Sequence, residues 1–318
     1  MITFSNIGHY GRLGNQMFQY GILYVVAKKN SYNFAVPSDN LKVIDSRYNP
    51  VIGKHDYMYL QIFECFDLSG KMLPSSELKY TRTFDHGRNF SKYNSEVFDV
   101  TDNTNFKGFF QSYKYFEEYK KDIQIEFTFK TEIELEVKEY FNKLKKLYSV
   151  NTITGLHIRN GDNLNDDGKC QVLLNKSYYH KAMERFRINN NLFLIISDDI
   201  EWCKSNLDAK DVVYSEYSSY KDREGDNPSK SPIKLEYLDL CAMTYCDNFI
   251  MSNSSFCWWG AWLNKKDGMI LCPDKWWGPV YNRRSEIDIR PTEWVQQPAE
   301  SNYEIPLPSV DMGNTWSY

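Results

Sequence analysis

Apolar and polar positions follow two different rhythms along this chain, and the change falls near its middle. After residue 150, short apolar runs alternate with longer segments whose apolar positions lie three or four residues apart. Such runs predict buried strands, and the wider spacing predicts amphipathic helices. Repeated strand–helix–strand units predict a parallel sheet with helices on both faces, which is an α/β architecture.

The predicted elements of this second half follow one another closely. The strands are Ile153–Arg159, Leu192–Ile196, one near Val212, Asn248–Met251 and Met269–Cys272. The helices are Tyr178–Asn189, Ile200–Leu207, Ile233–Tyr245 and Phe256–Asn264. Two polar loops, Asn160–Gln171 and Ser218–Ser231, interrupt the alternation.

The first half begins with a predicted strand, Ile2–Ile7, and a loop at 8–16 that contains glycines at intervals of three. A helix over Met17–Lys28 follows this loop. The glycine spacing differs from GxGxxG, and no acidic residue follows at the distance of a dinucleotide site, so a nicotinamide or flavin site is not favoured. Glycines in such a loop let backbone approach a ligand closely.

The pattern between Ala35 and Phe129 is irregular, and its aromatic stretch Phe106–Phe116 is interpreted as core rather than as a sugar-stacking surface. An amphipathic helix over Glu132–Leu147 closes the first half. Its apolar stripe is Ile133, Val137, Tyr140, Leu144 and Leu147. We therefore predict domains at 1–150 and 151–290, followed by a C-terminal tail at 291–318.

Composition narrows the classes of function. A net charge of −4 and a pI near 5.8 argue against electrostatic binding of nucleic acid. The seven cysteines lack zinc-like spacing and predict reduced thiols. No apolar run reaches the roughly 18 residues of a membrane helix. The start resembles no signal peptide, so we expect a cytoplasmic location, with peripheral membrane association as an alternative.

Candidate chemistry lies at the carboxyl ends of three predicted parallel strands, where ligands bind in open α/β sheets. The first strand ends in His157, Arg159 and Asp162, and the second in Ser197, Asp198 and Asp199. The third ends in the run Ser252–Ser255. A cation at a buried strand end needs an anion, which here is either Asp162 or a bound diphosphate.

The third strand end has properties of its own. Ser252–Ser255 precedes an apolar helix and supplies a helix cap, and the free N–H groups of a helix start can also bind a phosphate. The tryptophans that follow, Trp258, Trp259 and Trp262, are expected to fill the core rather than contact sugar.

Five segments together resemble the α-1,2-fucosyltransferase family, glycosyltransferase family 11. They are Gly11–Tyr20, His157–Asp162, Ser197–Asp199, Ser252–Phe256 with Trp258 and Trp259, and Lys275–Pro279. They occur in the family's order and span nearly the whole chain. The resemblance implies a GT-B fold, in which two Rossmann-like domains face each other across a cleft. It also implies GDP-L-fucose as donor, an oligosaccharide acceptor, inversion at the anomeric carbon and no required metal or cofactor.

The resemblance also implies residue roles. Arg159 would neutralise the donor diphosphate together with the helix start at Ser254 and Ser255, and Asp162 would serve as base or orient Arg159. The implied donor-binding set is His157, Asn160, Asp198, Asp199, Ser252, Asn253, Ser254, Ser255 and Phe256, with His157 and Asp198 on the guanine side. The implied acceptor-side loop carries Arg12, Gly14, Asn15 and Gln16. The absence of any Asp-x-Asp sequence agrees with metal-free chemistry.

One position departs from the family pattern. The family motif reads His-x-Arg-Arg-x-Asp, and this chain has Asn160 in place of the second arginine. Arg12, Lys169 and Arg283 are candidates to replace the lost cation. Three hypotheses follow: transfer of fucose to the 2-hydroxyl of a terminal galactose, a similar transferase with another nucleotide-deoxysugar or acceptor, and an inactive sugar-nucleotide or glycan-binding protein. The sequence does not identify the acceptor or the oligomeric state.

Overall fold

The computed structural model describes residues 1–9, 11–39, 60–87, 90–160, 170–187, 190–218, 233–281 and 286–300, and the backbone of two strands at 43–49 and 54–58. These residues form two parallel sheets and one antiparallel hairpin. In the first half the strands are β1 (Ile2–Thr3), β2 (Phe34–Pro37), β3 (Val43–Asn49), β4 (Lys54–Met58), β5 (Lys71–Leu73), β6 (Arg82–Asp85) and β7 (Thr104–Lys107). The helices are α1 (Leu13–Asn30), α2 (Ile62–Cys65), α3 (Lys120–Glu126) and α4 (Thr131–Tyr148).

The first sheet has the order β5-β2-β1-β7-β6, and all its neighbouring strands are parallel. Strands β3 and β4 form the hairpin. The prediction that the chain is irregular from Ala35 to Phe129 is therefore wrong, because four strands of this sheet and the hairpin fall almost entirely within that range. The predicted first strand is also too long, since β1 ends at Thr3 and the chain turns at once.

The second half contains β8 (Thr152–Ile158), β9 (Asn191–Ser197), β10 (Val212–Tyr214), β11 (Asn248–Ile250), β12 (Ile270–Pro273) and β13 (Val295–Gln297). Its helices are α5 (Lys176–Glu184), α6 (Ile200–Leu207), α7 (Leu235–Tyr245) and α8 (Ser255–Leu263). The sheet is parallel, with the order β10-β9-β8-β11-β12-β13. The strand–helix alternation is confirmed, and β13 extends the sheet into the range predicted as the tail.

Apolar packing covers both faces of the second sheet. Side chains of α5 and α6 form one buried cluster with Leu156, Phe193 and Leu271. A larger cluster on the other face contains residues of α4, α7 and α8 and continues into the first sheet. Because this second cluster is shared, the two sheets are joined by a common core.

Helix α4 shows how its sequence determines its position. Acidic residues occupy its first turn and Lys145 and Lys146 its last, in accord with the helix dipole, and Ser149 ends the helix in a left-handed conformation with φ 53°. The predicted stripe is buried at Ile133, Val137, Tyr140 and Leu144. Leu147 is 66% exposed, so its assignment to the stripe is wrong. Phe141 is buried instead.

Helices α1 and α8 hold the two sheets together. Helix α1 has apolar residues around most of its circumference, as expected for a helix enclosed by protein. Its Phe18 ring lies 4.7 Å from the Trp258 ring and 4.9 Å from the Trp259 ring, between centroids. Trp258, Trp259 and Trp262 are all buried, which confirms that they fill the core. The aromatic stretch Phe106–Phe116 is also mostly buried, as predicted.

Candidate active site

The three polar strand ends lie side by side. Strand β8 is paired with β9 on one side and with β11 on the other, in parallel register. The residues that follow these strands therefore meet at one edge of the sheet, as expected from the sequence.

Arg159 forms an ion pair with Asp198, across the ends of β8 and β9. The backbone N–H of Asn160 donates to the other oxygen of Asp198 at 3.0 Å. Both charged side chains are largely buried, with 17% of Arg159 and 5% of Asp198 exposed, so the pair neutralises charges that burial would otherwise penalise. One protein anion beside Arg159 thus comes from the neighbouring strand, and Asp162, the anion predicted from the sequence, lies outside the described residues.

Asn160 and Asp199 extend this cluster. The Asn160 amide lies 3.5 Å from Asp199 Oδ2 and is buried. Asp199 also caps α6, because its Oδ1 accepts from Trp202 N at 3.1 Å. Asn160 therefore joins the acidic strand end as a neutral hydrogen-bonding group at the position of the family's second arginine.

His157 is a neutral, buried group. Its Nδ1 lies 2.7 Å from the Ser252 hydroxyl, and its ring faces Phe256 with centroids 6.0 Å apart. Burial, opposed by Asp198 and reinforced by Arg159, lowers the pKa of His157 to about 3. The imidazole consequently stays uncharged at neutral pH and acts through hydrogen bonds.

The third strand end starts α8 and anchors a neighbouring loop. Ser254 is the helix cap, and its hydroxyl accepts from Phe256 N at 3.3 Å. Asn253 is buried and donates to the carbonyls of Val172 at 2.6 Å and Trp276 at 3.0 Å. Asn253 thereby ties the Lys275–Pro279 segment to the site. Because these contacts are to protein backbone, we assign Asn253 a structural role at the site.

The glycine loop reaches this edge from the first half of the chain. A Cβ added at Gly14 would lie 2.6 Å from Phe256 N and 2.7 Å from Ser255 C. Such contacts are too short for any side chain, so the first turn of α1 touches the first turn of α8 backbone to backbone. Two helix N-termini, each with the positive end of its dipole, therefore converge beside the Arg159 strand end.

Polar side chains fix the start of α1. Gln16 is buried, and its Oε1 accepts from Gln61 N at 2.8 Å. The Oδ1 of Asn15 accepts from Gln111 Nε2 at 2.8 Å. Arg12 holds the N-cap position of α1, half-buried and without a side-chain capping bond. Lys169 and Arg283, the other candidates to replace the missing cation, lie outside the described residues.

Sequence reasoning missed two of these partners, Gln61 and Gln111. Gln61 follows a segment without a regular pattern, and Gln111 lies in the aromatic stretch that was interpreted as core. Each hydrogen-bonds to a glycine-loop residue far away in the sequence, so no local spacing could have indicated it.

A profile described as "Glycosyl transferase family 11" matches residues 74–297. The chain belongs to glycosyltransferase family 11. It is 30% identical over 279 residues to an α-1,2-colitosyltransferase of Escherichia coli, an alignment that covers 83% of this chain and 89% of that protein. It is 26% identical to galactoside α-(1,2)-fucosyltransferase 1 of Saimiri boliviensis boliviensis, over 82% of this chain and 65% of that protein.

The fold agrees with this family assignment. A crystal structure of NodZ α-1,6-fucosyltransferase soaked with GDP-fucose matches with a TM-score of 0.50 and 12% sequence identity, covering 82% of this chain and 91% of that one. The chain therefore has the GT-B fold that the resemblance implied. It is a glycosyltransferase, and the inactive binding protein has no support among these relatives.

Two further observations concern the described part of the chain only. Within it, no helix is long and apolar enough to cross a membrane. The same residues contain no group of three or more His, Cys, Asp or Glu side chains placed to bind a metal ion.

Proposed function

We propose that this glycosyltransferase moves L-fucose from GDP-L-fucose to the 2-hydroxyl of a terminal, β-galactosyl acceptor, with inversion and without a metal. The observation that carries the proposal is the meeting of Arg159 with the N-termini of α1 and α8 at the strand edge. The Arg159 guanidinium stays protonated within its pair with Asp198, and together with two helix starts it can donate hydrogen bonds to a diphosphate.

The donor would lie against the second sheet, in the domain proposed for 151–290. Arg159, Ser254, Ser255 and Phe256 would hold its diphosphate, through the guanidinium and the helix start. His157, Asn160 and Asp198 would line the nucleotide side. Ser252, Asn253 and Asp199 would support them, because their observed bonds go to His157, to backbone carbonyls and to the α6 start.

The reaction itself makes one bond and breaks one. The oxygen of the acceptor hydroxyl attacks C1 of the fucosyl group while the bond from C1 to the β-phosphate oxygen breaks, and its electron pair leaves with GDP. The hydroxyl proton passes to a base, for which Asp162 remains our candidate. Inversion follows because attack and departure occur on opposite faces. Stabilising the charge that develops on the departing diphosphate is the main catalytic demand, and Arg159 with the helix dipoles can meet it.

The acceptor would bind to the domain proposed for 1–150. A cavity of about 490 Å³ lies beside the segments that follow β1 and β5 of the first sheet. It is lined by Ser5, Asn6, His9, Ser75, Leu78, Lys79 and Tyr80. Among the described residues that line it there is no carboxylate, and hydroxyl, amide and lysine amino groups lie beside a tyrosine ring, a set that can hydrogen-bond to and stack on a sugar. His9 belongs to the glycine loop, so this cavity adjoins the segment that carries Asn15.

A second candidate activity is transfer of a different deoxyhexose. The E. coli relative is named for colitose. Colitose is a deoxyhexose that differs from fucose because it has no 3-hydroxyl. The Asn160 substitution changes a charge near the proposed diphosphate and favours neither sugar by itself. A donor comparison separates the two activities.

The deciding experiment measures GDP release from GDP-L-fucose and GDP-colitose, with EDTA present, against a panel of β-galactosyl acceptors. We expect acceptor-dependent release with GDP-L-fucose and a product linked through the acceptor 2-hydroxyl, with inverted configuration by NMR. Turnover with GDP-colitose alone would establish the second candidate. Loss of turnover in EDTA that Mg²⁺ or Mn²⁺ restores would contradict the metal-free mechanism.

A further inference from the structure

The Asn15 side chain is held from two directions at the start of α1. On one side, Gln111 Nε2 donates to Asn15 Oδ1 at 2.8 Å. On the other, Gly11 has φ +97°, and a Cβ added there would lie 1.9 Å from Asn15 Nδ2. The amide nitrogen of Asn15 therefore occupies the space that a side chain at position 11 would fill.

The structure places the Asn15 amide in one of its two orientations. The two ends of an asparagine amide have nearly the same shape but opposite hydrogen-bonding character. Since Gln111 donates, the oxygen end of Asn15 faces Gln111, and the NH₂ end faces the glycine loop. A donor is thereby presented in the loop that adjoins the first turn of α8.

The backbone at and beside Gln111 is held in place by contacts of its own. Its N–H donates to the carbonyl of Phe90 at 2.8 Å. The preceding residue, Phe110, is fully buried with φ +54°, and the Gly108 carbonyl accepts from Gln19 of α1 at 3.3 Å. The loop that carries Gln111 is thus docked on α1 through Gly108 as well as through Gln111, and it keeps Gln111 beside Asn15.

We propose that Gln111 is a positioning residue that keeps the Asn15 NH₂ group directed at the reacting sugar and diphosphate. The inference rests on the proposed function, because it assigns Asn15 to the reacting centre. Gln111 acts through Asn15 and itself contacts no reacting atom.

A matched control exists elsewhere in the chain. Gln297 on β13 also donates one hydrogen bond from Nε2, to the Tyr178 carbonyl at 2.9 Å, and its Oε1, like that of Gln111, has no hydrogen-bond partner among the described residues. Its place on the edge strand of the second sheet puts it outside the proposed machinery. Each glutamine therefore donates one hydrogen bond from Nε2, and the two differ in the acceptor, which is the Asn15 side chain for Gln111 and a backbone carbonyl for Gln297.

The test is a double-mutant cycle on kcat and KM with Gln111→Ala, Asn15→Ala, the double variant and Gln297→Ala. We expect Gln111→Ala to lower kcat by about 10- to 100-fold, the cost of a misplaced catalytic contact, with donor KM within about threefold. In the Asn15→Ala background, Gln111→Ala should cause no further loss beyond about twofold. Gln297→Ala should keep kcat within about twofold of the wild type.

Gln111→Glu adds a readout that a structural role would not produce. An ionised glutamate fills the same volume but accepts instead of donating, so Asn15 would turn its NH₂ toward it. We expect kcat below that of Gln111→Ala despite better packing, and a rise in the ratio to wild type as pH falls toward the ordinary glutamate pKa of about 4.3, where the acid can donate again.

Two results would overturn the proposal. One is an equal loss of kcat from Gln111→Ala with and without Asn15. The other is a glutamate variant that is more active than the alanine variant at neutral pH. If the wild-type protein transfers no sugar, the proposed function fails separately. The side-chain ¹⁵N–¹H signals of Asn15 then still test whether Gln111 holds the Asn15 amide. They should shift in Gln111→Ala and stay unchanged in Gln297→Ala, and unchanged signals in both would disprove it.

Discussion

The two walls of the candidate site use different chemistry. The wall from the second sheet contains Arg159 and Asp198 as a buried ion pair, with a neutral His157 held by Ser252. The wall from the first half carries the amide of Asn15, which is bound by Gln111, and behind it the fully buried amide of Gln16, which is bound by the backbone of Gln61. Charge suits a diphosphate, and amides suit hydroxyl groups.

The difference also concerns how much each wall costs to assemble. An ion pair at a strand end must offset desolvation, and it does so with hydrogen bonds from neighbouring strands. The amide wall buries no net charge and needs only oriented neutral groups. Damage to the charged wall should therefore be the more severe.

The largest effect is expected from Arg159→Ala. Loss of the guanidinium should reduce kcat/KM for the donor by about 10²- to 10³-fold, the usual size for removing one donor to a developing anion. Steady-state GDP release measures it. Arg187→Ala is the control, since Arg187 also pairs with acids, Glu184 and Asp211, but at the surface. Comparable losses in both variants would argue against a diphosphate role for Arg159.

Gly14→Ala should break the contact between the walls. The added methyl would meet the backbone of Ser255 and Phe256, which cannot rotate away, so we expect a loss of about 1–3 kcal/mol in stability and at least tenfold in kcat. Gly21→Ala on the same helix meets the Phe116 ring at 2.9 Å, a side chain that can adjust. This control should lose stability without the drop in kcat, as measured by urea unfolding beside turnover.

His157 should make stability depend on pH. Its folded pKa of about 3 lies below the ordinary value near 6.5, so between these values the unfolded chain binds a proton that the folded chain does not. The free energy of unfolding should therefore fall as pH decreases from about 6.5 to 3, by up to about 1.4 kcal/mol per unit. Urea titrations of His157→Gln should give a flatter profile, and an unchanged slope would refute this assignment.

The smallest effect is expected at the proposed acceptor cavity. Tyr80 lines this cavity and is 43% exposed. Tyr80→Ala removes the ring and should raise the KM for the acceptor by about three- to tenfold, the size of an aromatic contact. Donor hydrolysis without acceptor should not change. Tyr148→Ala is the matched control, because Tyr148 is 41% exposed on α4. Equal KM values for the two variants would place the acceptor elsewhere.

The two halves of the fold differ in how well the sequence predicts their strands. Strands β8 and β9 are buried throughout apart from their first residues, and the apolar run of β9 and the apolar residues Ile153, Leu156 and Ile158 of β8 predicted them well. The strands β5 and β6 lie at the edges of the first sheet, contain three and four residues, and expose most of them. Such short, exposed segments carry neither an apolar run nor a period, so nothing in the sequence distinguished them from loops.

The sequence likewise predicts some contacts of the candidate site and not others. The meeting of the three strand ends followed from the parallel topology and is confirmed by the β9-β8-β11 order. The ion pair between Arg159 and Asp198 joins two strands that are far apart in the sequence, so the local pattern did not indicate it, and the predicted pairing with Asp162 lies outside the described residues. Pairs such as Asn15 with Gln111 depend on where two distant loops dock, which no local pattern records.

The shared core also limits how the enzyme can open. A hinge that swung the two halves apart would pull Phe18 away from Trp258 and Trp259 and expose the rings to water. Exposure of each ring would cost about 1.5–3 kcal/mol, before any loss at the Gly14 contact. We therefore expect the two halves to stay joined while substrates enter and products leave, with opening limited to smaller local rearrangements.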